Sequence, residues 1–154
     1  MKNNLIKNII LVSILVIVFG LSFTAYIFKA QGMRRSFIFP SAESGKEVIE
    51  NRYLKKIENK SDVQVYIDEI LLGSQLERTK KLFASDTKVL SCFQREKVLY
   101  LDLSADLINE GDDVISILEG VELLKKNIRM NFANISEIQV FVNGNYAFEN
   151  LQKK

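Results

Sequence analysis

The sequence predicts an α+β protein: a two-layer domain, with two helices packed on one face of a sheet, set behind a membrane-spanning helix. Three observations carry this prediction. Twenty residues without a charge stand near the N-terminus. Two later segments repeat their apolar residues at helical spacing. The segments around those two alternate as strands do, in the order strand, strand, helix, strand, strand, helix, strand. No internal repeat or low-complexity stretch interrupts the pattern.

The charge-free run is "IILVSILVIVFGLSFTAYIF", Ile9 to Phe28. At about 1.5 Å per residue it reaches roughly 30 Å, the hydrocarbon thickness of a bilayer. A cleaved signal peptide has a shorter apolar core, about 7 to 15 residues, followed by small residues in an A-x-A pattern. Here Phe28 occupies the position two before Ala30, so the run is expected to stay as an anchor. A lipoprotein needs a cysteine close behind its apolar run, and the one cysteine is Cys92. The expected map is therefore a tail over 1–8, a transmembrane helix over 9–28, a juxtamembrane linker over 29–36 and a folded domain over 37–150. Flanking charge does not orient the span: Lys2, Lys7 and the terminal amine balance Lys29, Arg34 and Arg35.

Composition excludes several classes of function. Lys2, Lys7 and Lys29 lie in or beside the anchor; removing these three from 21 basic residues leaves 18 against 19 acidic ones, a net of −1 for the rest of the chain. Gripping nucleic acid through its phosphates calls for a strong basic excess, so no nucleic-acid partner is expected. Histidine is absent, which removes Ser–His and Cys–His nucleophilic mechanisms and the commonest zinc ligand. No cofactor is expected.

Along the domain, "SFIFPSAESGKEVIENRYL" reads as two strands joined near Ser44-Gly45, the first closed by Pro40, which cannot donate to a ladder. "SDVQVYIDEILLGS" places Val63, Tyr66, Ile67, Ile70 and Leu71 on one helical face. Ser61 with Gln64 forms a capping box, and Gly73 suits the left-handed residue past the helix end. "TKVLSCFQREKVLYLDLS" reads as a hairpin turning at Arg95-Glu96, with Cys92 facing Leu99 and Leu90 facing Leu101. On its other face Val89, Ser91 and Phe93 oppose Asp102, Tyr100 and Val98, and Cys92 is expected in the core. A second helix begins between Asp112 and Leu118 and reaches Asn131, with Val114, Leu118, Val121, Leu124, Ile128 and Phe132 as its stripe. "EIQVFVNGN" then turns Ile138, Val140 and Val142 inward before an Asn-Gly turn.

These residues together resemble the GerMN domain family, found in extracytoplasmic proteins of bacterial envelopes. The likeness runs from Phe37 to Gly144. Its marks are "LLGS" at Leu71, Leu72, Gly73 and Ser74, then "LFASDTKVLS", then "VLYLDLS" with Asp102, Leu103 and Ser104, then the closing "VFVNG" with Gly144. Ser74 stands where the family commonly has Pro, and Ala84 and Asp86 replace a Pro and a Gly beside the retained Thr87. The resemblance implies a mixed sheet of about five strands with two helices on one face. It also implies a single-pass protein of the cytoplasmic membrane with its C-terminal domain outside, binding other envelope proteins without catalysis. It carries over no catalytic residue.

Several residues are candidate sites. Asp102 with Asp106 could form a carboxylate pair, but strand parity turns Asp102 away from Leu99, Leu101 and Leu103. It is expected exposed or backbone-bonded near the turn that Ser104 caps. Asp106, Asn109, Glu110, Asp112 and Asp113 could hold calcium or magnesium, yet they lack the alternating spacing of an EF-hand loop and read as a solvated loop before a helix. Arg78, Lys80 and Lys81 form a basic loop, the expected partner-binding stretch because exposed loops carry function more often than packed faces do. Binding of a wall polymer or small ligand is the alternative; it ranks lower, since tryptophan is absent and few aromatics pair in sequence.

Overall fold

A computed structural model describes residues 2–109 and 111–146. It divides into two units, 1–33 and 34–154. The first is the helix α1, Lys2–Gln31. Within it Ile6–Ile27 is long and apolar enough to cross a membrane, with its side chains exposed. Among the hydroxyls of this stretch, that of Thr24 is satisfied locally: its Oγ1 donates to the Gly20 and Leu21 carbonyls at 3.1 and 2.9 Å, as threonine does within a helix. The segment expected as a linker is shared between the end of α1, Gly32 and a strand that already begins at Met33.

The second unit contains two sheets. Strands β1 (Met33–Pro40) and β2 (Glu47–Leu54) form a two-stranded sheet. Strands β3 (Val89–Arg95), β4 (Val98–Leu103), β5 (Glu137–Val142) and β6 (Asn145–Tyr146) form a second sheet in that order. Its β4–β5 pair is parallel and its outer pairs antiparallel. Among the described residues the strands therefore number six and lie in two sheets, where about five in one sheet were expected.

Helices α2 (Asp62–Leu71) and α3 (Ile117–Asn131) share one core with the inner face of the four-stranded sheet. Tyr66, Ile67 and Ile70 of α2 meet Val121, Leu124 and Ile128 of α3 and Leu99, Leu101, Leu103, Ile138 and Val140 of the sheet. Each helix starts on a serine cap: Ser61 Oγ accepts from the Gln64 N–H, and Ser116 Oγ from the Glu119 N–H while donating to the Glu119 carboxylate. α2 ends as the sequence indicates, with Gly73 at φ +89°. Gly120, unexplained by the sequence, lies where α3 passes the loop at Leu82: a β-carbon there would stand 2.5 Å from the Leu82 carbonyl oxygen.

The hairpin differs from its expected register by two residues. Arg95 pairs with Val98 and Cys92 with Leu101, so the turn is Glu96-Lys97, with Glu96 at φ +56°. A shift of two keeps every side chain on its face, and the leucine face is unchanged. A bulge between Val89 and Ser91 does change a face: Val89 packs against the core while Leu90 is exposed. Leu118, expected in the α3 stripe, is also exposed, and Val114 precedes the helix.

β1 shows how the two helices and the small sheet are joined. One edge pairs with β2; the other is met by side chains of α3. Asn127 accepts from the Ile38 N–H at 2.7 Å and donates to the Ile38 carbonyl at 2.9 Å. Asn131 does the same for Ser36, at 3.0 and 2.7 Å. Four helical residues advance about 6 Å and two strand residues about 6.6 Å, so the two amides keep step with the strand and stand in for a neighbouring strand. Tyr66 from α2 completes the cluster, its hydroxyl donating to the Ser36 carbonyl at 2.7 Å and accepting from Asn131 at 2.8 Å. Burial holds that phenol above its ordinary range.

Candidate functional site

The family-motif residues gather at two corners of the domain. At the first, the chain leaving α2 through Gly73 and Ser74 is held by a buried ion pair on β2. Arg52 reaches Glu50 through Nε at 2.6 Å and Nη2 at 3.2 Å, and Nη2 also donates to the Gly73 carbonyl at 2.7 Å. Glu50 in turn accepts from Ser74 Oγ at 2.7 Å and the Gln75 N–H at 3.2 Å. The Arg52 guanidinium lies 4.8 Å from the Phe37 ring centre. Its hydrogen bond holds the Glu50 carboxyl below the usual range, with Ser74 and Gln75 adding to it and burial opposing. Leu71 is buried here and Leu72 exposed. Sequence reasoning missed Glu50 and Arg52; the visible signal was their shared strand parity in "EVIENRYL".

At the second corner the Asn143-Gly144 turn is bound to the end of β4. Both Asp102 carboxylate oxygens lie 3.1 Å from the Gly144 nitrogen and accept its N–H. Asn143 donates its N–H to the Leu103 carbonyl at 3.0 Å, and its side chain accepts from the Ala105 N–H at 3.3 Å. Asp102 is thus backbone-bonded, but to this turn and not to the turn after Ser104. Ser104 also differs from expectation: its hydroxyl makes no cap and instead accepts from the Lys88 N–H at 3.0 Å, while its own N–H donates to the Lys88 carbonyl. Thr87 is buried, and its hydroxyl lacks a hydrogen-bond partner among the described residues.

The basic loop is a strap pinned on both sides. Ser41 bridges Thr79, and the Lys80 N–H donates to the Pro40 carbonyl at 2.8 Å. Lys81 bridges Val114, with backbone bonds to Asp113 and Ile115. Arg78 pairs loosely with Glu43 at 3.4 Å, both exposed. Lys81 is spent on Asp113 at 3.0 Å and Ser85 at 2.8 Å, and its hydrogen bond lowers the Asp113 pKa. The three basic residues therefore do not converge. Asp106 lies in the 3-10 turn Ala105–Ile108, and Glu110 is outside the described residues. Among those described, no three acids or thiols group as metal ligands would. Cys92 packs partly buried against the core, its thiol pushed up to about 11 by burial and then by the charge of Asp68.

Two surfaces stand out among the described residues. On the outer face of the four-stranded sheet, Phe93 stacks on Tyr100 with ring centres 5.0 Å apart, and Phe141 meets Tyr146 edge-on at 5.4 Å. Phe93 is 56% exposed, and β3 is an edge strand. These pairs arise across strands, which is why sequence adjacency did not reveal them. The second surface is a groove of about 780 Å³ beside α3, with Pro40, Ile115 and Leu123 among its lining and charged residues around them.

The fold defined by this topology is that of the GerMN domain. The domain resembles the first GerMN domain of the sporulation protein GerM from Bacillus subtilis, with a TM-score of 0.61 and 16% identity over 76% of this chain and 87% of that one. The tandem GerMN domains of the same protein align with a TM-score of 0.52 and 18% identity over 75% of this chain and 40% of that one. In sequence, the chain is 29% identical over 87 residues to an uncharacterized lipoprotein of Treponema pallidum (strain Nichols), covering 56% of this chain. The chain spans 65% of that relative's length. No family model matches the sequence.

Proposed function

We propose that this is a single-pass protein of the cytoplasmic membrane whose GerMN-fold domain stands outside the cytoplasm and binds another envelope protein without catalysis. The observation that carries the reading is the aromatic outer face of the four-stranded sheet: Phe93 over Tyr100, with Phe141 and Tyr146 on the same face. Aromatic side chains are enriched at protein interfaces and, tyrosine among them, in the few residues that dominate binding, and a face lined with them beside an unpaired strand edge suits a partner surface. α1 supplies the anchor. The likeness to a lipoprotein supports the outward orientation that flanking charge leaves undecided. In this reading the motif residues Leu71, Leu72, Gly73, Thr87, Asp102, Leu103, Ser104 and Gly144 act structurally, shaping the two corners.

The test places a photo-crosslinking phenylalanine analogue at position 93 of the full chain in its native cell. A discrete adduct with one envelope protein is the expected result. Adducts confined to lipid overturn the reading. The same rings could stack on sugars of a wall polymer; sedimentation of the chain with isolated cell wall, lost in Phe93→Ser, would favour that alternative.

A further inference from the structure

The groove beside α3 has a second role open to it, independent of the aromatic face. Its volume of about 780 Å³ falls within the range of ligand clefts, about 300–1,000 Å³. Its lining follows one side of α3 from Glu119 through Glu122, Leu123 and Lys126 to Arg129. The ten residue steps from Glu119 to Arg129 rise about 15 Å, room for about four or five extended residues of a guest chain. Ile115, Leu123 and Pro40 make the apolar part, and the strap brings in Lys80.

The charges sort by what they already hold. Glu47 is paired with Lys126 at 2.6 Å, and Glu122 with Lys125 at 2.9 Å. Glu119 is engaged by Ser116 at the start of α3, where the helix dipole favours an acid. Lys80 and Arg129 have no hydrogen bond or ion pair through their side chains among the described residues, although the Lys80 side chain is half-buried. The lining balances three acids, Glu47, Glu119 and Glu122, against three cations, Lys80, Lys126 and Arg129; Lys80, whose charge also reaches Asp113, and Arg129 are the two cations at which a guest carboxylate would displace no existing side-chain bond.

We propose that this groove binds an extended acidic segment of a partner protein, with an apolar residue over Ile115 and Leu123 and carboxylates on Lys80 and Arg129. The full chain in zwitterionic phosphatidylcholine nanodiscs is titrated against a labelled ten-residue peptide alternating aspartate and valine, followed by fluorescence anisotropy. Saturable binding is expected, weakened by about five-fold or more in Lys80→Gln and in Arg129→Gln, and unchanged in Phe93→Ser. Absence of saturable binding, equal binding of the lysine–valine counterpart, or unaltered affinity in both variants overturns the proposal. Because Phe93→Ser reads the aromatic face and the peptide reads the groove, either surface can fail without the other.

Discussion

The two sheets of the domain meet their surroundings in opposite ways. The small sheet turns charge inward beside its phenylalanines: β1 buries Phe37 and Phe39, β2 buries Glu50 and Arg52 while Ile49 and Tyr53 point out, and the free edge of β1 is covered by Asn127 and Asn131. The large sheet turns leucine inward and aromatics outward, and its β3 edge is paired on one side only. Polar groups inside a protein must find partners, so the small sheet is locked into one arrangement by hydrogen bonds with fixed geometry. The large sheet is held by non-directional burial, which leaves its outer surface free to serve binding. The lesson is a division of labour between a sheet that fixes the corner after α2 and a sheet that offers a face.

If that division holds, the largest losses of stability come from the small sheet. Arg52→Ala leaves Glu50 buried without its partner, and removing one member of a buried pair typically costs about 3–5 kcal/mol. Denaturant unfolding of the full chain in detergent should show a loss of that size, and the chain after Gly73 should become more open to protease. Asn127→Leu keeps the volume but strips both the Ile38 N–H and its carbonyl of their partner. Unsatisfied buried groups cost about 1–3 kcal/mol each, and the buried leucine returns part of that through its apolar surface, so the same assay should show a net loss of about 2–4 kcal/mol. A loss under about 1 kcal/mol in either variant would break the comparison.

How far these features could be read in advance depended on whether their cause was local. The α2 face, its serine cap and Gly73 were legible because helical spacing and caps are written within ten residues. The leucine face of β4 was legible because parity survives a register error of two, and that error occurred, since nothing local distinguished Arg95-Glu96 from Glu96-Lys97 as the turn. Leu90 was misread because a bulge inverts parity at one residue. Gly120 and the Glu50–Arg52 pair were opaque for a different reason: a glycine that admits the Leu82 carbonyl, and an arginine that reaches the Gly73 carbonyl, answer to partners far along the chain. At the candidate sites, Arg78, Lys80 and Lys81 were adjacent in sequence, but a strap bridged on both sides sends them to different neighbours. The aromatic face was legible only in part: hairpin parity puts Phe93 and Tyr100 on one face, but their pairing depends on the true register, and that of Phe141 with Tyr146 on the strand after the Asn-Gly turn.

A smaller effect separates the sheets by pH. The Glu50 carboxyl titrates below its unfolded value because Arg52 stabilises its charge. Its contribution is therefore fully present above the usual glutamate value of about 4.3 and is lost as pH falls through the lower folded value. Stability should accordingly decline more steeply below about pH 4 in the parent chain than in Glu50→Gln, whose midpoint should be lower at neutral pH and flatter in acid. Parallel slopes in the two proteins would place the acid sensitivity elsewhere.

The smallest expected change in stability is the one that bears most on function. Phe93 is more than half exposed on the outer face of the large sheet, so Phe93→Ser should alter unfolding by no more than about 0.5 kcal/mol, as surface substitutions do. If the outer face serves only to cover the sheet, nothing else should change. If it is a partner surface, the variant should lose capture of the envelope protein by about ten-fold or more, as removal of an aromatic anchor does, with its unfolding midpoint intact. Arg52→Ala makes the complementary case, since any loss of capture there should track loss of folded protein. Capture and stability would then separate at Phe93 and coincide at Arg52, and a result in which they coincide at both would return the aromatic face to a structural role.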